Sequence, residues 1–200
     1  MVYNQVVCSN GTLVNANSLL PEVSKDDSVI ICGGTNIKES TSNIILSWLR
    51  REARKGIEIG GLCTAAYVIA KAGLLDGRKC TIHWENVDGL AEEFQDLDIT
   101  NDLFEIDGNR VTCSGGTASL DMILNLITQT HGAALAAEIS DQLIHDRIRE
   151  PSDRQRMELR SRIGVSHPKL LAVVKIMEDN LEEPLVQTEI AIKTHLSTRQ

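Results

Sequence analysis

The stretch Ile59-Gly60-Gly61-Leu62-Cys63-Thr64-Ala65-Ala66-Tyr67-Val68-Ile69-Ala70 decides the fold, because it runs from a strand through a cysteine into a helix without a loop. The apolar run Ile57-Glu58-Ile59 stops at two glycines, and helical spacing begins after Cys63. Such a strained strand-to-helix turn needs small residues two positions before and after the cysteine, and Gly61 and Ala65 fill those places. At a helix start, unpaired N–H groups and the helix dipole favour a thiolate. The turn therefore predicts that Cys63 is the most reactive of the five thiols. The N–H of Thr64, with one from Gly33-Gly34, then forms an oxyanion site. The competing reading is a buried apolar cysteine, since cysteine is among the residues most often found inside.

Outward from this turn, Val6-Val7-Cys8 and Val29-Ile30-Ile31-Cys32 read as further buried strands. Ser42 to Lys55 is a helix between strands, with Ile44, Ile45, Trp48 and Leu49 at helical spacing. Strand, helix, strand, helix predicts a parallel sheet with crossover helices. Phe104 to Cys113 alternates around Asp107-Gly108-Asn109 and reads as a hairpin. Helices are expected from Ala118 to Thr130, with Thr117 as N-cap, and from Ala133 to Arg149.

The chain has 200 residues, a net charge of -8 and 42% hydrophobic residues, enough for a real core. Its five cysteines are odd in number and include no CxxC pair, which argues against structural zinc and against a disulfide framework. No apolar run approaches membrane-spanning length and no signal-peptide pattern opens the chain, so no membrane role and a cytoplasmic setting are expected. Residues 1–145 hold 10 Lys and Arg against 19 Asp and Glu, whereas residues 146–200 hold 10 against 9. Arg147, Arg149, Arg154, Arg156, Arg160 and Arg162 crowd the junction and read as a solvated run with a linker. A helix starts at Pro168 and ends before Pro184, and a shorter one spans Gln187 to Thr194.

Several long motifs together carry a resemblance: GGLCTAAYVIAKAGLLDG, CTIHWEN with His83, CSGGTASLDMIL, IHDRIR and GVSHPKLLAVVKIMEDNLEEPL. The chain resembles transcription regulators of the AraC/XylS type whose N-terminal sensor is a class I glutamine amidotransferase-like domain of the PfpI branch. The resemblance implies an α/β, flavodoxin-like parallel sheet flanked by helices, followed by the start of an all-α helix-turn-helix domain. It divides the chain into a sensor at residues 1–149, a linker at 150–166 and a DNA-binding part at 167–200. In catalytic relatives a cysteine and a histidine at these places work with an acidic residue. Here Cys63 and His83 are expected to be vestigial, with Glu85 an unassigned carboxylate, because the segment that supplies the acid in those relatives is expected to precede Val2.

By the same resemblance, a small effector is expected near Gly33, Gly34, Cys63, Thr64, His83, Ser114 and Gly115, at strand ends where open α/β sheets place ligands. Relatives govern catabolism of arginine and quaternary amines, so an amine or amino-acid effector is expected. DNA is the expected partner of the complete protein, read by Ser197, Thr198, Arg199 and Gln200, with a homodimer as its form. No cofactor and no metal are expected. Ala65 and His195 stand where relatives usually carry glycine, and the chain is expected to lack both its first elements and most of its DNA-reading helices. As it stands, it is therefore expected to bind DNA weakly and without regard to sequence. The alternative is a cysteine-dependent hydrolase, amidase or glyoxalase-like enzyme using Cys63 and His83. A third reading is a dimerising sensor without DNA binding.

Overall fold

In the computed structural model, which describes residues 4–8 and 10–197, the first strand is not part of the main sheet. β1 (Asn4–Val7) pairs antiparallel with β2 (Leu13–Ala16) in a separate hairpin, where Val6 and Val7 are 54% and 67% exposed. The expectation of a buried strand at Val6 to Cys8 is thus corrected. Asn10-Gly11 turns the chain sharply, with Gly11 at φ 82° and Gly11 N donating to Cys8 O. Asn-Gly is a strong hairpin signal.

The main sheet holds β3 (Ser28–Cys32), β4 (Glu58–Leu62), β7 (Phe104–Asp107) and β8 (Arg110–Cys113), in the order β3-β4-β8-β7. β3, β4 and β8 run parallel, and β7 returns antiparallel to β8 through the expected hairpin at Gly108-Asn109. Cys32, Leu62 and Cys113 stand in register across the three parallel strands, so these strands end at one edge of the sheet. β5 (Lys79–Thr81) and β6 (Asp98–Thr100) form a parallel pair against the hairpin, where Thr81 N donates to Thr112 Oγ1 at 2.9 Å and Lys79 N to Asp107 Oδ2 at 2.9 Å.

The crossovers are α1 (Ile37–Ser40), α2 (Asn43–Ala53), α3 (Ala66–Lys71) and α4 (Val87–Glu93). Side chains alternate along the strands, so Ile31 and Ile59 join one apolar cluster with Leu49, Ile69 and Leu75. Ile30, Leu62 and Val111 join a second cluster with Phe104 and Met122, the latter from α5 (Ala118–His131). Helices thus cover the sheet as the alternation of strand and helix predicts.

Two carboxylates hold the crossovers in place. Glu52, buried at the end of α2, accepts from Val23 N at 3.2 Å and pairs with Lys55 at 2.7 Å, while Trp48 Nε1 donates to Pro21 O. Glu93 at the end of α4 takes Lys38 of α1 and both Tyr67 and Lys71 of α3. The Lys55 ammonium holds the Glu52 carboxyl at about 2 against the opposing effect of burial, helped by Arg51 and the Val23 N–H. Lys38 and Lys71 hold Glu93 at about 2 in the same way. Because both carboxyls lie below their ordinary value of 4.5, their contribution to stability is complete above about 4.5. It is lost as pH falls toward about 2. Urea unfolding from neutral pH downward should show that acid limb, and Glu52→Gln should flatten it. An unchanged limb in that variant would remove Glu52 from the account.

After α5, α6 (Ala133–Gln142) is shorter than the helix expected to reach Arg149. It ends in a motif in which His145 N donates to Ser140 O and Ile144 N to Asp141 O, with Ile144 in the left-handed region at φ 55°. That place usually belongs to glycine, so an isoleucine there disguises the stop. Residues 143–155 then return along the body as a strap without helix or strand, bridged to Asp102 at Arg154. Gln155 closes the first unit and Arg156 opens the second. The expected linker contains the short α7 (Leu159–Ile163).

The second unit adds α8 (Pro168–Glu178), shorter than expected, and α9 (Gln187–Thr194), which matches its expected bounds. Glu178 of α8 pairs with Arg162, tying α7 down. Ala191 is buried, and α8 and α9 enclose a groove of about 780 Å³ lined by Leu170, Val173, Met177 and Ile190. Glu189 Oε2 accepts the N–H of Val186 to cap α9, and His195 ends it at φ 53°. No helix among the described residues is long and apolar enough to cross a membrane.

Candidate functional site

The elbow forms as the sequence predicts. β4 passes into a single turn of 3-10 helix at Cys63–Ala65 and then into α3, with Cys63 at φ 60°. Gly61 allows this approach, since a Cβ there would lie 3.1 Å from the backbone of Ala65 and Ala66. Gly33 N donates to Leu62 O at 3.0 Å, and Thr64 Oγ1 donates to Gly34 O at 2.7 Å. Gly33 and Gly34 therefore brace the elbow, and Gly33 N is engaged rather than held for an oxyanion. The Thr64 side chain lines a separate cavity of about 60 Å³ beside Tyr67 and Leu90.

Burial pushes the Cys63 thiol up, the Thr64 N–H offsets part of this, and Cys113 and Glu85 push it further up. Burial thus opposes the activation expected from the helix start. Cys32 is exposed, whereas Cys80 and Cys113 are buried, and burial pushes the Cys80 thiol to about 11. Iodoacetamide labelling with peptide mapping should modify Cys32 before Cys63, and Cys80 and Cys113 only on unfolding. Cys63 labelling first would restore an activated nucleophile.

His83 follows β5 and opens a 3-10 turn at Trp84–Asn86. Its N–H donates to Cys63 O at 3.4 Å, but its Nδ1 accepts from Glu85 N at 3.4 Å. The ring leans on Trp84 with centroids 5.5 Å apart. Among the described residues no hydrogen bond joins the thiol to the imidazole, which a nucleophile and its base require. Glu85 Oε2 lies 3.8 Å from Nδ1 and is more than half exposed.

Beyond β8, Ser114 N donates to Leu103 O, and Gly115 and Gly116 take φ of 92° and 57°. A Cβ on Gly115 would lie 2.7 Å from Cys63 Cβ, so this glycine lets the loop press on the elbow. Thr117 precedes α5 as expected, but its hydroxyl caps no helix N–H and instead accepts from Arg149 Nη2 at 2.6 Å.

Arg149 belongs to the strap. Asp121, fully buried in α5, accepts from Arg149 N and Nε at 2.8 Å and binds His145 Nε2 at 2.8 Å. Burial pushes the Asp121 carboxyl up, but the Arg149 N–H, His145 and the guanidinium outweigh it and leave it low. Farther along, Leu103 N donates to Pro151 O, and Gln155 Nε2 reaches Asp102 O, Ile82 O and Thr81 Oγ1. Between strap and strand ends lies a cavity of about 220 Å³, walled by His83, Trp84, Ser114, Gly115, Arg149 and Gln155 among others.

The structure thus brings His83, Ser114 and Gly115 into one cavity, with Cys63 behind Gly115, and leaves Gly33, Gly34 and Thr64 outside it. Ser197 lies beyond α9, exposed, and Thr198, Arg199 and Gln200 fall outside the described residues. Arg149 and Gln155 were hidden in a run that reads as solvated charge. The available signal was Asp121, a carboxylate inside the apolar helix ASLDMILNL. Among the described residues no group of three or more His, Cys, Asp or Glu side chains is placed to hold a metal.

The chain is similar to several known proteins. The HTH-type transcriptional regulator CdhR of Pseudomonas aeruginosa is 42% identical over 195 residues, covering 98% of this chain and 58% of that protein. GbdR of the same species, also an HTH-type transcriptional regulator, is 41% identical over 196 residues, covering 98% and 53%. The chain therefore spans a little over half the length of these relatives. The crystal structure of an AraC family transcriptional regulator from Pseudomonas putida superposes with a TM-score of 0.62 at 26% identity, covering 70% of this chain and 76% of that one. The DJ-1/PfpI family pattern matches residues 3–129, which hold the elbow, His83 and the Ser114-Gly115 loop. By that match the chain belongs to the DJ-1/PfpI family.

Proposed function

We propose that the chain is the sensor-bearing part of a ligand-responsive transcription regulator of the AraC/XylS type. The complete protein acts on DNA in the cytoplasm as a homodimer, and its effector is a small amine or amino acid bound in the cavity beside His83. The observation that carries this reading is the second unit. A helical segment in which α9 buries Ala191 follows the DJ-1/PfpI body directly, and a free-standing hydrolase has no use for it. The names of the relatives and the strap that joins the cavity to this unit support the same reading. An effector that prefers one arrangement of the strap would shift the protein between two states.

In this proposal Cys63 and His83 are vestigial, and the desolvated thiol and the engagement of Nδ1 by Glu85 N support that. The residues that would meet DNA are Ser197 to Gln200 and those that follow in the complete protein, with the arginines near the junction adding phosphate attraction. Fluorescence anisotropy of the complete protein on its own upstream DNA and on a scrambled duplex, at two salt concentrations, is the test. A preference for the native sequence that changes with effector is expected. Binding blind to sequence would sink the regulator reading, and hydrolytic turnover lost in Cys63→Ala would favour the enzyme.

A further inference from the structure

Gln155 lines the cavity and carries one buried polar atom without a partner. Gln155 Nε2 lies 2.9 Å from Asp102 O and 3.1 Å from both Ile82 O and Thr81 Oγ1. Backbone carbonyls only accept, so the amide nitrogen must face them and the orientation of the side chain is fixed by chemistry. The carbonyl oxygen on the other arm of the amide is then withdrawn from solvent with no donor. Among the described residues that are not exposed, it is the one fully buried side-chain nitrogen or oxygen in this condition. Buried acceptors are nearly always satisfied, and an exception asks what satisfies it.

The rest of the cavity offers positive charge and backbone N–H groups, with Arg149 Nε and Nη2 already engaged by Asp121 and Thr117. Arg149 lines it, only 27% exposed, with its charge set beside the first turn of the 14-residue helix α5. Gly116 in the left-handed region followed by Thr117 in the right-handed helical region makes successive N–H groups converge, as in anion-binding nests. The unmet acceptor of Gln155 and the positive charge of Arg149 on the same cavity together match a molecule that has a carboxylate at one end and an N–H at the other.

We propose, on the basis of the sensor reading above, that this cavity takes a small zwitterion carrying at least one N–H. Its carboxylate lies against Arg149 and the Gly115–Thr117 turn, and its N–H is donated to Gln155 Oε1. Gln155 then distinguishes primary and secondary amines or guanidines from fully N-alkylated ones, which have no proton to give. Because the oxygen is withdrawn, a ligand engages it by drawing Gln155 toward the cavity. Gln155 is the last residue before the second unit, so recognition and displacement of the strap's end are one event.

Betaine and its constitutional isomers valine and δ-aminovalerate test this, since all three have the same atoms and the same zero net charge, and betaine alone has no N–H. Thermal unfolding of the unmodified chain should shift upward with at least one isomer and not with betaine, and the same isomer should alter tryptic cleavage after Arg154 and Arg156. Gln155→Met should abolish the preference. The comparison on the unmodified chain stands even where that variant folds poorly. An equal or larger shift with betaine, a preference that survives in Gln155→Met, or no shift with any of the three overturns the proposal. The anisotropy test on the complete protein judges the regulator reading separately.

Discussion

Asp121→Ala is expected to destabilise the body by about 3–5 kcal/mol, the usual result of removing one partner from a buried ion pair. The carboxylate has no exposed surface and gathers the Arg149 N–H, the Arg149 guanidinium and the His145 ring. Without it the guanidinium keeps only Thr117 among these contacts, and the strap loses its anchor halfway along. Urea unfolding followed by circular dichroism measures the loss, and trypsin should cut after Arg147 and Arg149 at lower protease concentration than in the unaltered chain. A change under about 1 kcal/mol, the ordinary range for an exposed pair, would show that the strap does not depend on this anchor. Asp121→Asn retains the shape and some acceptor capacity, and should fall between the two.

Gly115→Ala should cost roughly 2–5 kcal/mol, adding about 1–2 for a side chain at positive φ to about 1–3 for overpacking. The new methyl group would stand 2.7 Å from Cys63 Cβ and 3.1 Å from its sulfur, so either the loop lifts or the elbow yields. The first outcome opens the cavity and the second exposes the thiol. Chemical denaturation gives the size of the effect, and the rate of Cys63 alkylation tells which side moved. By contrast, Gly116→Ala meets nothing within 4 Å and should cost only the backbone part. Equal effects at both positions would remove the Cys63 contact from the explanation.

The elbow was legible because it is a local pattern: an apolar run, two glycines and small residues flanking a cysteine. The Gly108-Asn109 hairpin and the bounds of α9 were legible for the same reason. The place of β8 between β4 and β7 was not, since strand order depends on contacts about 50 residues apart that no window of sequence contains. The Asn10-Gly11 turn carried its signal openly, but a run of apolar residues before it suggested burial, and the structure exposes them. Ile144 hid the end of α6 because a β-branched residue stands where glycine would have announced the stop. The cavity was legible only in part: His83, Ser114 and Gly115 came from strand-end logic. Arg149 and Gln155 are positioned by the strap's return along the body, which a charge run does not reveal.

The position of β8 also sets the order in which this protein can be made. β3 and β4 leave the ribosome early and can pair at once, but the strand that fills the other side of β4 comes about 50 residues later, roughly 3–10 s at ~5–20 residues per second. Until then β4 has an open edge in the middle of the future sheet, with unpaired N–H and C=O groups beside apolar Ile59 and Leu62. The elbow is also incomplete in that interval, because the Gly115 loop that presses on Cys63 lies just beyond β8. A nascent chain halted before Cys113 is thus a sticky intermediate suited to capture by chaperones, and threading the hairpin into that gap is the step that ends its vulnerability.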